Sequence, residues 1–215
     1  MSDSVSATSL LDNLVSEAEV LYPADGEQYA GPLALSAKNG DIPARIMLIG
    51  EAPGLKGAGS TGIPFFTYKN EQSANRFAKL MLRLGADCDF ERGWRGHRIF
   101  VTDVVLRNPV ERGRNGSLRN RGLTRSEVRG SLKLLEKQID LVRPELLVGI
   151  GKRACQALSE LLEIPITIDG LLHDLPRDQL KVVGCPHPSP HNNARADLLA
   201  IQEKVFQQLA DYLRS

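Results

Sequence analysis

An α/β fold, a three-layer α/β/α sandwich around a central four-stranded parallel sheet, is what this 215-residue sequence predicts. Two observations carry that reading. Four largely apolar runs, at 46–49, 99–106, 145–150 and 180–184, read as strands, and the first, four apolar residues in a row, leaves no polar face for water, the pattern of a strand covered on both sides. A stretch of helical periodicity follows each run, and strands alternating with helices in this way build a parallel sheet with helices on both faces. The chain is long enough for one sizeable core, so residues 1–44 are expected to form a helix and arm packed on a single α/β domain at 45–215.

Charge and composition exclude several classes. With 27 basic and 26 acidic side chains the net charge is +1, which exerts no global pull on nucleic acid. No apolar stretch approaches the roughly 20 residues of a membrane span, and the N-terminus lacks a basic region followed by an apolar one. A cytoplasmic protein with no membrane partner is expected. Cys88, Cys155 and Cys185 lie far apart, so neither a disulfide framework nor a Cys-x-x-Cys metal site is indicated, and all three read as buried small apolar residues. The charge is uneven, however. Between Arg92 and Arg129 there are ten arginines and no lysine against Asp103, Glu111 and Glu127.

In chain order, Leu10, Leu11, Leu14, Val15 and Ala18 have helical spacing, with Ser9 as a candidate cap and Tyr22-Pro23 as the stop. Residues up to Pro43, broken by Gly, Pro and Asn, read as a surface arm. The first strand, Ile46 to Ile49, ends abruptly in Gly50-Glu51-Ala52-Pro53-Gly54, a tight turn that exposes backbone at the end of a strand, where open parallel sheets hold ligands. A glycine-rich loop then closes on Pro64-Phe65-Phe66. Asn70 to Leu84 is an amphipathic helix through Ala74, Phe77, Ala78, Met81 and Leu82, stopped by Gly85.

The second strand, Ile99 to Leu106, contains Asp103, a carboxylate that is costly to bury unless it is paired, hydrogen-bonded or protonated. The arginine-rich segment from Arg107 to Thr124 is too poor in apolar residues to bury itself and reads as an exposed loop. Thr124 and Glu127 have capping-box spacing for a helix running to Pro144. The third strand at 145–150 runs into Gly151-Lys152-Arg153, which opens another helix and lacks the upstream glycine of a phosphate loop. The fourth strand enters Cys185-Pro186-His187-Pro188-Ser189-Pro190-His191-Asn192, where three prolines fix the backbone and remove donors. A last amphipathic helix spans Asn193 to Leu213.

The two loops Gly50-Glu-Ala-Pro-Gly54 and His187-Pro-Ser-Pro-His-Asn192, in that order and about 135 residues apart, resemble the signature motifs of the uracil-DNA glycosylase superfamily. Pro64-Phe65 and Val101-Thr-Asp-Val-Val105 fit between them in register, so the resemblance runs from about Arg45 to the C-terminus. The first motif is similar to that of the thermostable family-4 branch and the second to that of the single-strand-selective branch. Family-4 members hold an iron–sulfur cluster on four cysteines. This chain has three, so no cofactor and no metal are expected.

The resemblance implies a base-binding site of Gly50, Ala52, Pro53, Phe65 and Asp103, with Phe65 as the floor on which a flipped pyrimidine stacks. It implies that His187 donates a hydrogen bond to the carbonyl of the departing base. Ser189, Pro190, His191 and Asn192 become the segment that pinches phosphates and wedges the stack, and Arg107, Arg112 and Arg114 supply backbone attraction. The chain departs from the family at two places. Many relatives have a water-activating Asp where this chain has Ala52, leaving Glu51 as the nearest carboxylate.

The second departure is Asp103, which stands where most relatives place a base-reading Asn. Three roles are open to it: a protonated, Asn-like reader, the missing water-activating base, or a reader of a base with an exocyclic amino group. The catalytic set is therefore Glu51, His187 and Asp103. The expected activity is monofunctional hydrolysis of uracil or a related deaminated base from single- or double-stranded DNA by a monomer, leaving an abasic site. No lysine sits in either motif to form a Schiff base. The alternatives are a catalytically weak DNA- or damaged-base-binding protein of the same fold and a nucleoside or nucleotide enzyme on an open sheet.

Overall fold

The computed structural model describes residues 6–25, 27–96, 98–175 and 180–215. The chain opens with α1 (Ala7–Leu21), capped by Ser6, whose hydroxyl accepts from Ser9 N. Ser9, the candidate cap, thus lies inside the first turn. Strand β1 (Tyr29–Ala30) and a 3₁₀ turn at Ala37–Asn39 follow. The segment up to Pro43 is no surface arm, because Tyr29, Ala34, Leu35 and Asn39 are buried. The Asn39 amide donates to the carbonyls of Ala34 and Val101 at 3.1 and 2.7 Å, fastening the segment to the sheet. Turn residues in a sequence mark where a chain bends, not which side chains it turns inward.

Next come β2 (Ile46–Gly50), buried throughout, a short helix α2 (Ala58–Thr61), and α3 (Gln72–Arg83), capped by the Glu71 carboxylate. The buried face of α3 is Ala74, Phe77, Leu80 and Met81, whereas Ala78 is exposed and Leu82 is 65% exposed. Ala74, Phe77 and Met81 face the core as expected, with Leu80 in place of Ala78 and Leu82, and Phe77 packs against Trp94 and Phe206. The hairpin β3 (Asp87–Asp89) and β4 (Gly93–Arg95) leads to β5 (Ile99–Asp103). This strand ends three residues early. Val104 N and Val105 N turn to donate to Gly50 O and Glu51 O, binding the chain beyond β5 to the turn after β2.

The segment expected to be an exposed loop forms β6 (Asn108–Arg112) and β7 (Leu118–Asn120), which join β1 in a three-stranded antiparallel sheet ordered β1-β6-β7. Asn115-Gly116, a turn pair with Gly116 at φ +77, was the hairpin signal within it. Arg107 is a second correction. It is 3% exposed, and its guanidinium donates to Tyr22 O and to the Glu19 carboxylate at 2.7 and 2.6 Å. It fastens α1 to the sheet and does not reach outward to a DNA backbone.

The chain continues through α4 (Arg125–Val142), with the Thr124–Glu127 capping box in place, β8 (Leu146–Ile150), α5 (Lys152–Leu162), β9 (Leu172–Leu175) and β10 (Leu180–Cys185). It ends in α6 (Pro190–Asn193) and α7 (Ala196–Arg214). The central sheet has five strands ordered β5-β2-β8-β10-β9. The first four are parallel as expected, and β9 adds an antiparallel edge. That strand, Leu-His-Asp-Leu, is short, half-polar and mostly wet, like many edge strands, and so carries no continuous apolar signal.

Helices cover both faces. Met47, Ile49, Phe100, Leu147 and Val182 pack in one core with Leu14 and Ala18 of α1, Leu135 of α4 and Leu158 of α5. Ile46, Leu48, Val101, Val148 and Val183 pack in the other with Phe77 and Met81 of α3 and Val205 and Phe206 of α7. Each of these side chains larger than alanine contributes about 1.5–3 kcal/mol by leaving water. The alternation of Ile46, Met47, Leu48 and Ile49 between the two cores is why the run has no polar member. From β2 the chain goes to β5 on one side and then crosses to β8 on the other. The crevice of an open sheet forms at such a reversal, and Gly50-Glu51 and Gly151 stand there. Among the described residues no helix is long and apolar enough to cross a membrane.

Candidate active site

A cleft of about 580 Å³ opens at this crevice, lined by Glu51, Ala52 and Pro53 after β2, Phe65 before α3, Asp103 at the end of β5, and His187 after β10. Four chain segments remote in sequence therefore converge because parallel strands present all their C-terminal ends to one edge. Gly50, directly beneath, pairs in register with Asp103. A Cβ on Gly50 would collide with Asp103 Oδ1 and stand 2.7 Å from Phe65 Cε2, so the missing side chain lets the carboxyl and the ring meet over the same backbone atom.

Phe65 is held at φ +56, a left-handed conformation rare for an aromatic residue. Its ring stacks on Phe77, with centroids 4.1 Å apart and planes 21° apart, and its centroid is 5.6 Å from that of His187. Trp94 Nε1 donates to Pro64 O at 2.8 Å and pins the preceding residue. The ring is thus supported from the core side while it lines the cleft. His187 is partly buried, and its carbonyl accepts from Asn192 Nδ2 at 2.9 Å and from Gln202 Nε2 at 3.2 Å. Burial pushes its imidazole below the usual histidine range, while the Glu51 and Glu71 charges oppose this.

The two carboxylates of the floor differ. Glu51 Oε1 accepts from Arg153 N at 2.9 Å, so it satisfies an amide at the N-terminus of α5, where a negative charge is favoured. Asp103 is 2% exposed, and burial first, then the neighbouring Glu51 charge, raise its pKa from 3.8 to about 8, with no hydrogen bond lowering it. A buried carboxyl without a donor favours its neutral form, because nothing compensates the charge for the water it has lost.

Of the other expected site residues, Ser189 caps α6 by accepting from Asn192 N at 3.4 Å, and Pro190 and His191 are exposed on that turn. Asn192 turns its amide inward to the His187 carbonyl. Arg112 and Arg114 are exposed on the β6–β7 hairpin, outside the residues that line the cleft. The same hairpin walls the cleft with Leu118 to Gly122, and Asn120 Oδ1 accepts from Leu55 N at 2.9 Å, tying hairpin to glycine-rich loop. Asn120, Glu71 and Lys56 were missed by sequence reasoning, and only the Asn-Gly turn of the hairpin pointed toward the first of them.

A four-thiolate iron–sulfur cluster does not fit this chain. Cys155 and Cys185 are buried, burial pushes the Cys155 thiol up to about 12, and Cys88 lies on β3 in the small hairpin. Among the described residues no three His, Cys, Asp or Glu side chains are grouped to hold a metal ion. Cys88 is only half-buried, short of the full burial expected of all three.

The chain is similar to the type-4 uracil-DNA glycosylase of Pyrobaculum aerophilum, 27% identical over 123 residues that cover 57% of this chain and 52% of that protein. It thus spans about half the length of this relative. The type-4 uracil-DNA glycosylase of Archaeoglobus fulgidus is 26% identical over 156 residues, 70% of this chain and 68% of that protein. The crystal structure of wild-type Pedobacter heparinus SMUG2 superposes with a TM-score of 0.55 at 15% identity, over 80% of this chain and 76% of that one, and shares the fold. The family model described as the Uracil DNA glycosylase superfamily matches residues 37–214, which takes in the whole central sheet and every residue that lines the cleft, and the chain belongs to that superfamily.

Proposed function

We propose that this protein is a monofunctional DNA glycosylase that hydrolyses the N-glycosidic bond of uracil or a related deaminated base and leaves an abasic site. The observation that carries the reading is that Phe65 and His187, their ring centroids 5.6 Å apart, stand side by side in the lining of a cleft of base-accommodating size. A base extruded from the stack would lie on the Phe65 ring, with van der Waals support from Phe77 behind it. As the bond from the base nitrogen to C1′ breaks, the electron pair moves onto the base and concentrates on the adjacent carbonyl. A neutral His187 donates a hydrogen bond to that oxygen, a preorganised donor of the kind that lowers such barriers by several kcal/mol.

Water then adds to C1′, and the proton it loses balances the departed base anion, so that neutral free base and an abasic sugar result. Glu51, in the lining of the cleft and held by Arg153 N at the start of α5, orients that water. On the DNA side, Pro190 and His191 form the protruding turn that enters the stack, Ser189 lies at its base, and Arg112 and Arg114 attract phosphates. The type-4 relatives, named for uracil, support the same reading. A second reading, a protein that binds DNA or a damaged base and turns it over poorly, is favoured by two facts: Ala52 carries no carboxylate, and Glu51 is engaged with Arg153 N.

Incubation with uracil-containing single- and double-stranded oligonucleotides, followed by alkaline cleavage, tests the proposal. Strand scission at the uracil site supports it. Salt-sensitive binding without scission selects the second reading, and neither binding nor scission refutes both.

A further inference from the structure

Six of the chain's eleven Phe, Tyr and Trp rings gather on one side of the cleft. Phe65, Phe77 and Trp94 form the inner group, with Phe77 and Trp94 buried. Phe66, Tyr68 and Phe90 form the outer one, with centroids 5.7 Å apart from Phe66 to Tyr68 and 4.9 Å from Tyr68 to Phe90. A second hollow, of about 280 Å³ and walled by Phe65, Phe66, Leu82 and Trp94, joins the two groups. Phe65 and Ala74 line this hollow and the cleft alike, so the two are neighbours across one ring.

Core packing accounts for the inner rings but not for the outer ones. Tyr68 is 68% exposed, Leu82 65% and Phe90 41%. A contiguous apolar patch of this kind on a surface marks an interaction site. The charged groups around it are unevenly placed. Lys56, in the cleft lining, and Lys69, next to Tyr68, are exposed, and Thr67 Oγ1 joins their two segments by donating to Lys56 O at 2.7 Å. Lys38 Nζ donates to Phe90 O at 2.7 Å and stands 4.3 Å from that ring's centroid, which leaves Tyr68 as the freest ring of the three. Asp87 and Glu91 belong to the β3–β4 hairpin, away from the cleft lining, where Asp89 is paired with Arg92. Positive charge thus lies toward the cleft and negative charge beyond the rings, which suits a nucleic-acid strand that leaves the cleft and ends its contacts there.

We infer that the hollow and the Tyr68 ring form a second nucleobase subsite, which stacks an unpaired base of the same DNA strand near the nucleotide held in the cleft. The inference rests on the glycosylase reading for the base in the cleft. Every base has a π face, so aromatic rings beside lysines hold single strands with little regard to sequence. In a duplex the neighbours of an extruded nucleotide stay paired and stacked, and their faces are not free. Only an unpaired strand can use the subsite, and single-stranded substrate should therefore bind more tightly than duplex. An apolar peptide is the rival occupant, and it has no need of rings.

The test reads binding by fluorescence anisotropy with oligonucleotides that carry 2′-fluoro-2′-deoxyuridine, whose electron-withdrawing fluorine slows glycosidic cleavage. In a second set, abasic spacers replace the bases on one side or the other of that nucleotide, so that phosphates stay and rings go. Spacers on one side are expected to weaken single-strand binding by about 5–100-fold, the range for loss of one stacked base. Tyr68→Ala should bind the natural flanks more weakly by a similar factor and no longer sense the spacers, Tyr68→Trp should restore both, and duplex affinity should change in neither variant. Wild-type binding indifferent to spacers on both sides overturns the inference. So does a Tyr68→Ala variant that loses single-strand and duplex affinity alike, or a Tyr68→Leu variant equal to the wild type, the result for an apolar peptide surface. Strand scission of unmodified uracil oligonucleotides is scored separately. Scission without a spacer effect overturns the inference alone, whereas a spacer effect without scission supports the subsite and overturns the glycosylase reading in favour of the binding one. Failure to bind any oligonucleotide overturns both.

Discussion

Phe65 and His187 meet with ring centroids 5.6 Å apart although one precedes α3 and the other follows β10. The ring is fixed by its stack on Phe77, and the histidine loop by two amide donors to the His187 carbonyl. Neither depends on a ligand for its position, which is the condition for a preorganised site. Replacement of His187 by Ala is expected to lower single-turnover base release by about 10²–10³-fold, the usual cost of losing one donor to a developing negative charge. Binding of an abasic-site oligonucleotide should change much less, and equal losses in both would contradict the assignment.

Gly50→Ala is the most economical way to close the site. The added Cβ would collide with Asp103 Oδ1, which is buried, and crowd Phe65, which is held from behind by its stack on Phe77. Base release should disappear, and the melting temperature should fall by the equivalent of about 1–3 kcal/mol, the common cost of overpacking. A variant of normal stability and activity would show that the strand has room there.

Two arginines close in sequence should behave differently. Arg107→Ala removes a buried guanidinium from Tyr22 O and Glu19, and it is expected to destabilise the protein by roughly 1–3 kcal/mol without altering the salt dependence of DNA binding. Arg114→Ala, on the exposed hairpin, should leave the unfolding midpoint unchanged and reduce the slope of log K against log salt by about one. Denaturant titration and binding at several salt concentrations separate the two.

The neutral carboxyl also has a signature in stability. In the folded chain Asp103 keeps its proton up to about pH 8, whereas the unfolded chain releases it near the ordinary 3.8. The folded state thus binds more protons across this window. Its contribution is fully present below the lower value and is lost progressively as pH rises to the upper one. Asp103→Asn has no such titration. Its melting temperature should exceed the wild type's by a margin that is smallest near pH 4, grows to pH 8 and then levels off. A margin that does not vary with pH would mean that Asp103 is ionised in the folded protein.

Much of this site was legible from residue patterns. The uninterrupted run Ile46 to Ile49 ending in Gly50-Glu51 announced a doubly covered strand with a tight exit, since each side chain must be apolar when both faces are packed. The Thr124–Glu127 cap and the proline-rich exit of β10 were equally local signals. Patterns failed where burial was decided by partners far along the chain. Arg107 and Arg114 are the same residue type in the same stretch, yet one reaches Glu19 on α1 and is buried while the other meets water. The Leu172–Leu175 edge strand and the β6–β7 hairpin were hidden for a related reason, because short strands with a wet face depend on a neighbour for their pairing and not on their own apolar content.

By itself, then, the sequence determined the alternation of strands and helices, the two rigid loops and the residue types available for chemistry, all of which follow from local backbone preference and hydrophobic period. Only the tertiary structure decided that Asp103 has no donor and Glu51 has one, that Phe65 is backed by Phe77, and that the arginine-rich segment folds against the cleft. Protonation and exposure are set by the dielectric and the neighbours that a side chain meets in space, and those neighbours come from remote parts of the chain.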